Sequence, residues 1–498
     1  MSRLRSPHTP ARVLAAVASP LAALLLVAIP LAAQQAKLPP VRPLGPIQAR
    51  SAEALGAVST VVPLPGGKVL VNDVLQRRVV MFDSTLAHFT VVADSTSATA
   101  NAYGARGGGL LGFGGDSALF IDPASLSMMV INGAGELTTV RAVPRANEIG
   151  FLVGGPNGRP GFDPKGRMIY RGNARGRAAA RDARPAFGNF VMPEQPDSAP
   201  IVRVDLETRM LDTLAKFKIP KIDIKVTQGN DGRMNVQTTM NPMPMTDDWA
   251  LLSDGSIAVI RGHDFHIDWV ATDGTLTSSP KLPYEWQRLS DDDKQTVLDS
   301  ARVAIEKQRA EAQRLVTGAG GPAAFFAGGG GERMVAIAGG AAPPERGGGA
   351  GGGGGSGRGA AGAGAAGGAA GGGRGQGGDG GGRGGPGGPG GPGGPGGPGG
   401  FQIPAVNMVN ANELPDYRPA FGQQSALGDI DGNLWIRTSA PVGEAGPVYY
   451  VIDKQNEVVD RVQMPQGRVI AGFGKGGIVY LGFRDAEGNA RLEWARWK

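Results

Sequence analysis

Twelve short turns, falling in six pairs, punctuate this 498-residue chain, and each pair sits between runs of apolar and β-branched residues. The first members are Pro65-Gly66-Gly67, Gly115-Asp116-Ser117, Lys165-Gly166, Asp254-Gly255, Asp431-Gly432 and Gly476-Gly477. The second members are Asp83-Ser84-Thr85, Gly133-Ala134-Gly135, Asp205-Leu206-Glu207, Asp273-Gly274, Asp453-Lys454-Gln455 and Asp485-Ala486-Glu487. From Gly66 to Asp116 is 50 residues, and from Asp116 to Gly166 is 50 again. A fixed period of that size marks a stacked or circular repeat, in which each unit buries its apolar surface on its neighbours.

Between the turns the signal is strand. Val58 to Leu64, Lys68 to Asn72, Val79 to Phe82 and Phe89 to Val92 form one four-run unit. The unit recurs around Leu119 to Val140, Met168 to Phe217, Trp249 to Leu282 and Leu434 to Val462. Short, evenly spaced strands with glycine and aspartate turns point to a sandwich, a barrel or a propeller, and six four-stranded units select the propeller. The expected class is therefore all-β: a six-bladed β-propeller with one inserted α-helix and a disordered glycine-rich insertion. The order strand, Asp-Gly, strand, loop, strand, Asp-x-x-Gly, strand resembles secreted six-bladed β-propellers of the NHL-like type over most of residues 45–498. The resemblance implies the fold and leaves the ligand open. The last unit has only three runs, so a strand from Val41 to Leu55 is expected to complete it and spare the ring an unpaired edge.

The N-terminus reads as an export signal. Arg3, Arg5 and Arg12 precede an apolar stretch from Val13 to Ile29, and Ala32-Ala33 supplies small residues for cleavage. Residues 1–33 are the expected signal peptide, 41–316 hold blades 1–4 and the helix, 317–400 form the insertion, and 401–498 hold blades 5 and 6. After cleavage no transmembrane segment is expected, and the protein is placed outside the cytoplasm, in the periplasm or secreted. With no cysteine, it has neither a disulfide nor a thiolate nucleophile.

The tract 317–400 holds 44 of the 83 glycines, and Gly-Gly-Pro repeats five times from Gly384 to Pro398. It offers almost no apolar surface to offset the entropy of ordering, so a disordered insertion is expected. Just before it, Ser290 to Leu315 reads as a helix: Ser290 caps, three aspartates fill the first turn, and Val297, Leu298, Ala301, Ile305, Ala312 and Leu315 form one stripe. The formal charge of +6 falls to about +1 once the signal and the glycine tract are set aside, which argues against a nucleic-acid partner.

In a propeller blade the first and third turns share one face. The second turn and the link to the next blade share the other. The paired turns are read as first and third turns, all tight. The long segments, Gly172 to Pro200, Lys218 to Thr246, Pro283 to Gln424 and Thr438 to Pro447, all fall on the opposite face, where function is expected. The second strands end there at Asn72, Asp122, Arg171, Arg261, Arg437 and Arg484. Guanidinium groups suit carboxylates and phosphates, although each can instead pair with a neighbouring acid.

Two readings follow. In the first, an exported, non-enzymatic propeller binds a protein partner or an anionic small molecule on the long-loop face through Arg171, Arg261, Arg437, His263 and His266, with no cofactor and no catalytic residue assigned. In the second, a hydrolase or lactonase holds a divalent metal at the channel mouth, with Asn72, Asp73, Asp122, Asp264 and Asp429 as available ligands. His263 and His266 with Asp264 and Asp268 carry metal-ligand chemistry, but bonding to the neighbouring acids accounts for them more simply. The text match Gly107-x-Gly109-x-x-Gly112 opens no βαβ helix. Asp429-x-Asp431-Gly432 lacks the spacing of a calcium loop, and no Gly-x-Ser-x-Gly elbow occurs. Met243 and Met245, beside Pro242 and Pro244, read as loop packing. The six tryptophans read as inter-blade core.

Overall fold

The computed structural model describes residues 38–96, 101–104, 107–154, 158–174, 196–221, 223–228, 234–317, 406–439 and 446–498. The expected signal peptide, the glycine-rich tract beyond Thr317 and the segment 175–195 lie outside the described residues. Pro39–Lys498 form one unit of contacts, and its chain is a six-bladed β-propeller.

Each blade is an antiparallel meander from an inner to an outer strand. Blade 1 comprises Thr60–Pro63, Val69–Asp73, Arg78–Phe82 and Phe89–Asp94. Blade 2 comprises Gly109–Phe113, Ser117–Asp122, Ser127–Ile131 and Leu137–Ala142. In blade 3 they are Gly161–Phe162, Met168–Arg171, Ser198–Val204 and Leu211–Lys218, and in blade 4 Asp248–Leu251, Ile257–Arg261, His266–Val270 and Leu276–Ser278. Blade 5 runs through Phe421–Gly428, Leu434–Thr438, Val448–Ile452 and Val458–Gln463. Blade 6 has Val469–Gly474, Ile478–Arg484 and Ala490–Arg496 from the C-terminal end, with Ile47–Arg50 antiparallel on Ala490–Arg496 as its outer strand. Val41–Pro43 adds a parallel fifth strand to blade 5, so one N-terminal segment straps two blades.

The strands read as nearly continuous apolar runs because both faces of every blade are covered. Alternate side chains point to opposite neighbours. Val69 and Val71 pack toward blade 6 and Leu70 toward blade 2; Met168 and Tyr170 pack toward blade 2 and Ile169 toward blade 4. Trp435, Trp497 and Phe473 fill the seam between blades 5 and 6, with Trp435 at 5.3 Å from Trp497 and 5.2 Å from Phe473. Trp249 is buried between blades 3 and 4. Trp269 and Trp494 are half-buried, and Trp286 is exposed.

Inner strands crowd where they converge. A Cβ at Gly428 would stand 2.2 Å from the Leu251 carbonyl oxygen, and one at Gly472 2.6 Å from the Val61 side chain. Turn chemistry is equally regular. Asp83, Asn132, Asp205, Asp273 and Asp453 each accept the backbone N–H two residues on, which closes the third turn of blades 1 to 5. Asp485-Ala486-Glu487 breaks the expected pairing. It joins the second and third strands of blade 6, and so lies on the long-loop face. The third turn of that blade does not exist, because its outer strand comes from the other end of the chain.

Two elements interrupt the meanders. Asp223–Gln228 and Met234–Met240 form a hairpin extended in parallel by Val406–Met408, in place of the expected long loop. The helix spans Asp291–Thr317. Ser290 Oγ accepts the Asp293 N–H at 3.1 Å while the Asp293 carboxylate accepts the Ser290 N–H at 2.9 Å, a reciprocal cap. Leu298 is buried, and buried Lys294 donates to Asp416 at 2.8 Å. Among the described residues no helix is long and apolar enough to cross a membrane.

Candidate functional site

The second strands do end on the long-loop face, but their terminal residues fare differently. Asn72 is buried and donates to the Gly108 carbonyl at 2.8 Å, while its side-chain oxygen meets no partner among the described residues. Asp73 accepts the N–H groups of Gly56, Ala57 and Gln76 and pairs with Arg78. Asp122 accepts Gly104 and Ala124 N–H and the Ser125 hydroxyl. Asp429 holds Asn433 and the Trp435 indole inside a first turn, on the opposite face. These carboxylates are each occupied within or beside their own blades, and Asp73 and Asp122 both act on the buried phenol of Tyr103. The described residues contain no group of three or more His, Asp or Glu side chains arranged to hold a metal ion.

Blade 4 carries a separate charged network. Arg261 donates to Asp247 and to Asp268, each at 2.7 Å, and to the Lys216 carbonyl. His266 sits opposite Arg261 in the ladder. It contacts Asp264 at 2.6 Å through Nδ1 and Asp268 at 3.4 Å through Nε2. Asp268 also accepts from Ser278. Although burial works the other way, bonds from the Ser278 hydroxyl and Arg261 hold the Asp268 carboxyl below its usual range. His263 is exposed beside Asp264. Each acid in this network has a cation, so Arg261 is committed to holding its own blade.

Arg171 is packed between rings, its guanidinium 5.3 Å from Phe151 and 5.9 Å from Phe217, and its buried Nε has no hydrogen-bond partner among the described residues. Burial lowers its pKa. Arg484 donates to the Gly488 carbonyl and is exposed. Arg437 differs from all of these. Among the described residues no acceptor takes a hydrogen bond from it; its charge acts on Asp248 of blade 4 and on Tyr449, its ladder partner in blade 5.

Sequence reasoning misses the residue that completes this group. Arg159 lies just before the two-residue inner strand of blade 3 and donates to the carbonyls of Ile470 at 2.9 Å and Ala471 at 3.2 Å, in the inner strand of blade 6. Blades 3 and 6 stand opposite each other in a six-membered ring, so this side chain crosses the central axis. It is open to solvent yet desolvation lowers its pKa, the combination expected inside a channel walled by protein. Arg159 and Arg437 both act on the phenol of Tyr449, whose pKa burial nevertheless raises. That phenol therefore stays a neutral donor.

Asp248 anchors the other side. A bulge in the inner strand of blade 5, between Phe421 and Ala426, turns through Gln424 at φ 56°. It aims two consecutive N–H groups, of Ser425 and Ala426, at one Asp248 carboxylate oxygen, at 2.6 and 3.0 Å. The other oxygen takes the Trp249 N–H at 2.9 Å. Burial pushes the Asp248 pKa up to about 6 against these bonds and the Arg437 charge. The buried Ser425 hydroxyl has no hydrogen-bond partner among the described residues. Arg437 thus acts on both Asp248 and Tyr449, and Arg159 acts on Tyr449 as well.

A cavity lies elsewhere on the same face. It measures about 750 Å³ and is lined by Lys218, Lys221, Asn241, Met243, Met245 and Glu413, among others. Its lining holds two lysines and two acids, Asp197 and Glu413, so it has room without a net charge.

No protein-family model matches the chain, and no curated protein does. Among solved structures it is similar to virginiamycin B lyase from Staphylococcus aureus, at 8% identity, covering 90% of this chain and 97% of that one with a TM-score of 0.32. It is similar also to a gluconolactonase from Xanthomonas campestris, at 9% identity, 92% and 98% coverage and a TM-score of 0.33. A calcium-binding regucalcin from Agrobacterium tumefaciens matches at 9% identity, 92% and 97% coverage and a TM-score of 0.32. Likeness at these scores carries no argument about activity; the six-bladed propeller rests on this chain's own strand pairing.

Proposed function

We propose that this propeller is an extracytoplasmic binding protein that captures an anionic small molecule at the long-loop mouth of its channel. The observation that carries the reading is Arg437: a guanidinium with no hydrogen-bond acceptor among the described residues, facing the same phenol as Arg159. Of the three arginines expected from sequence, Arg437 remains the binding group. Arg261 is replaced in that role by Arg159, and Arg171 stands at the end of blade 3 on the same face. Guanidinium groups with donors still available favour carboxylate, sulfate or phosphate. The N-terminal signal pattern supports the location.

Isothermal titration of sulfate and of a short dicarboxylate into the purified protein tests the reading. Arg437→Gln should weaken binding roughly tenfold to a hundredfold, the range for losing a hydrogen bond to a charged group. Arg261→Gln should cost stability and leave affinity unchanged. An Arg437→Gln variant that binds both anions as tightly as the parent removes this function.

A further inference from the structure

The cavity of about 750 Å³ is walled by three stretches of chain that only the fold brings together. Asp197 and Lys218 to Lys221 come from the outer half of blade 3, Asn241 to Thr246 from the link into blade 4, and Glu413 and Pro415 from the approach to blade 5. Backbone bonds fix these walls to one another. The Lys218 N–H donates to the Asp247 carboxylate at 2.9 Å, and its carbonyl accepts the Asp247 N–H at 3.0 Å. The Ile219 N–H donates to the Asp197 carbonyl at 2.8 Å, and the Val409 N–H to the Met240 carbonyl at 3.0 Å. Asn410 holds Glu413 Oε1 through its backbone and side-chain N–H groups, at 3.1 and 2.8 Å. A cavity set in place before its ligand arrives loses less affinity to ordering.

Its charges stand on different walls. Lys218, Lys221 and Asp197 leave the blade 3 wall with one positive charge in excess, and Glu413 puts a negative charge on another. The lysines that form ion pairs among the described residues are Lys281, Lys294 and Lys454; Lys218 and Lys221 form none. Ile219, Pro220, Met243, Pro244, Met245 and Pro415 give the space between an apolar lining, and methionine side chains adapt to ligands of differing shape.

We propose that this cavity is a second ligand site, which takes a short apolar peptide with both ends free, its carboxylate at Lys218 and Lys221 and its ammonium at Glu413. A simple anion meets Glu413 and Asp197 as repulsion, and a simple cation meets the two lysines in the same way; a zwitterion with an apolar body satisfies both walls and the lining. The volume lies within the roughly 300–1,000 Å³ of small-molecule sites, and a single amino acid leaves most of it unfilled. The site shares no residue with the channel mouth, so it stands or falls apart from the anion reading.

Isothermal titration of the tripeptide Leu-Ala-Leu into the full chain tests the proposal, beside the same peptide acetylated at its amino end or amidated at its carboxyl end. The free peptide should bind, and either cap should weaken it roughly twofold to fivefold, the range of ion pairs open to solvent. The double variant Lys218→Met, Lys221→Met should bind free and amidated peptide alike while still discriminating against the acetylated one. Glu413→Gln, whose amide oxygen can still accept from Asn410, should bind free and acetylated peptide alike. A readout in the parent protein keeps the test independent of how the variants fold: the methyl carbon-13 resonances of Met243 and Met245 should shift as the free peptide is added. No binding at millimolar peptide, equal affinity for free and capped peptides, cap penalties that the variants retain, or binding that leaves both methyl resonances unmoved each overturns the inference.

Discussion

Asp248 serves two ends at once. It fastens the inner strand of blade 4 to the bulge in blade 5, and it does so at the cost of its own hydration. In the unfolded chain an aspartate titrates near 3.9; in the fold Asp248 is pushed up to about 6. The folded state therefore holds this proton more tightly. The contribution to stability is complete below about pH 4 and is lost as pH rises through about 6. Comparing parent and Asp248→Asn by urea unfolding across this window should show the parent losing on the order of 3 kcal/mol relative to the variant, since a tenfold change in proton affinity is worth about 1.4 kcal/mol. A flat difference would show that the carboxyl titrates normally. Trp435 makes a simpler case. It is fully buried against Trp497 and Phe473, so Trp435→Ala should cost about 3–5 kcal/mol, read as a lower midpoint in urea.

At the scale of elements, glycine and turn residues govern how closely blades approach. Gly428→Ala would drive a methyl group into the Leu251 carbonyl. The expected outcome is a loss of about 1–3 kcal/mol by overpacking, seen in thermal unfolding. Alanine at Gly467, where nothing lies within 4 Å, meets strain from the backbone alone. The blades are legible in the sequence because each strand must satisfy two apolar neighbours and each turn reuses Asp or Asn to tie its own backbone. The hairpin from Asp223 to Met240 is hidden because its strands, Ile-Lys-Val-Thr-Gln and Asn-Val-Gln-Thr-Thr, are mostly polar and resemble loop. The Asp485 turn misleads because it uses the same residue as the third turns while sitting one connection earlier. Arg159 is illegible for another reason. It belongs to no motif, and only the closing of the ring brings it to carbonyls more than three hundred positions away. Arg261 looks like a free cation in the sequence because its acids, Asp247 and Asp268, are assembled only when blade 4 folds.

For the whole molecule, integrity rests on the strap. Arg42 meets Asp460 and the Trp497 carbonyl, Arg50 meets Glu493 at 2.7 Å, and Leu55 exchanges two backbone hydrogen bonds with Ala490. Removing residues 39–50 should leave blade 6 with a bare edge and blades 5 and 6 less protected. Hydrogen exchange should then quicken in Val458–Gln463 and Ala490–Arg496 ahead of blades 2 and 3. Uniform exchange across the ring would show that the strap adds nothing local. The strap also sets an order of events. Arg50 and Glu493 are separated by 443 positions, so the earliest part of the propeller to be synthesised is the last that can find its place. Splicing the two chain ends through a short linker, and reopening the chain within the glycine-rich tract, would shorten that search by roughly three doublings of loop length, on the order of 2 kcal/mol of closure entropy. A circular permutant of this kind would knit its final seam early, whereas the native order keeps that seam open until Ala490–Arg496 has been made.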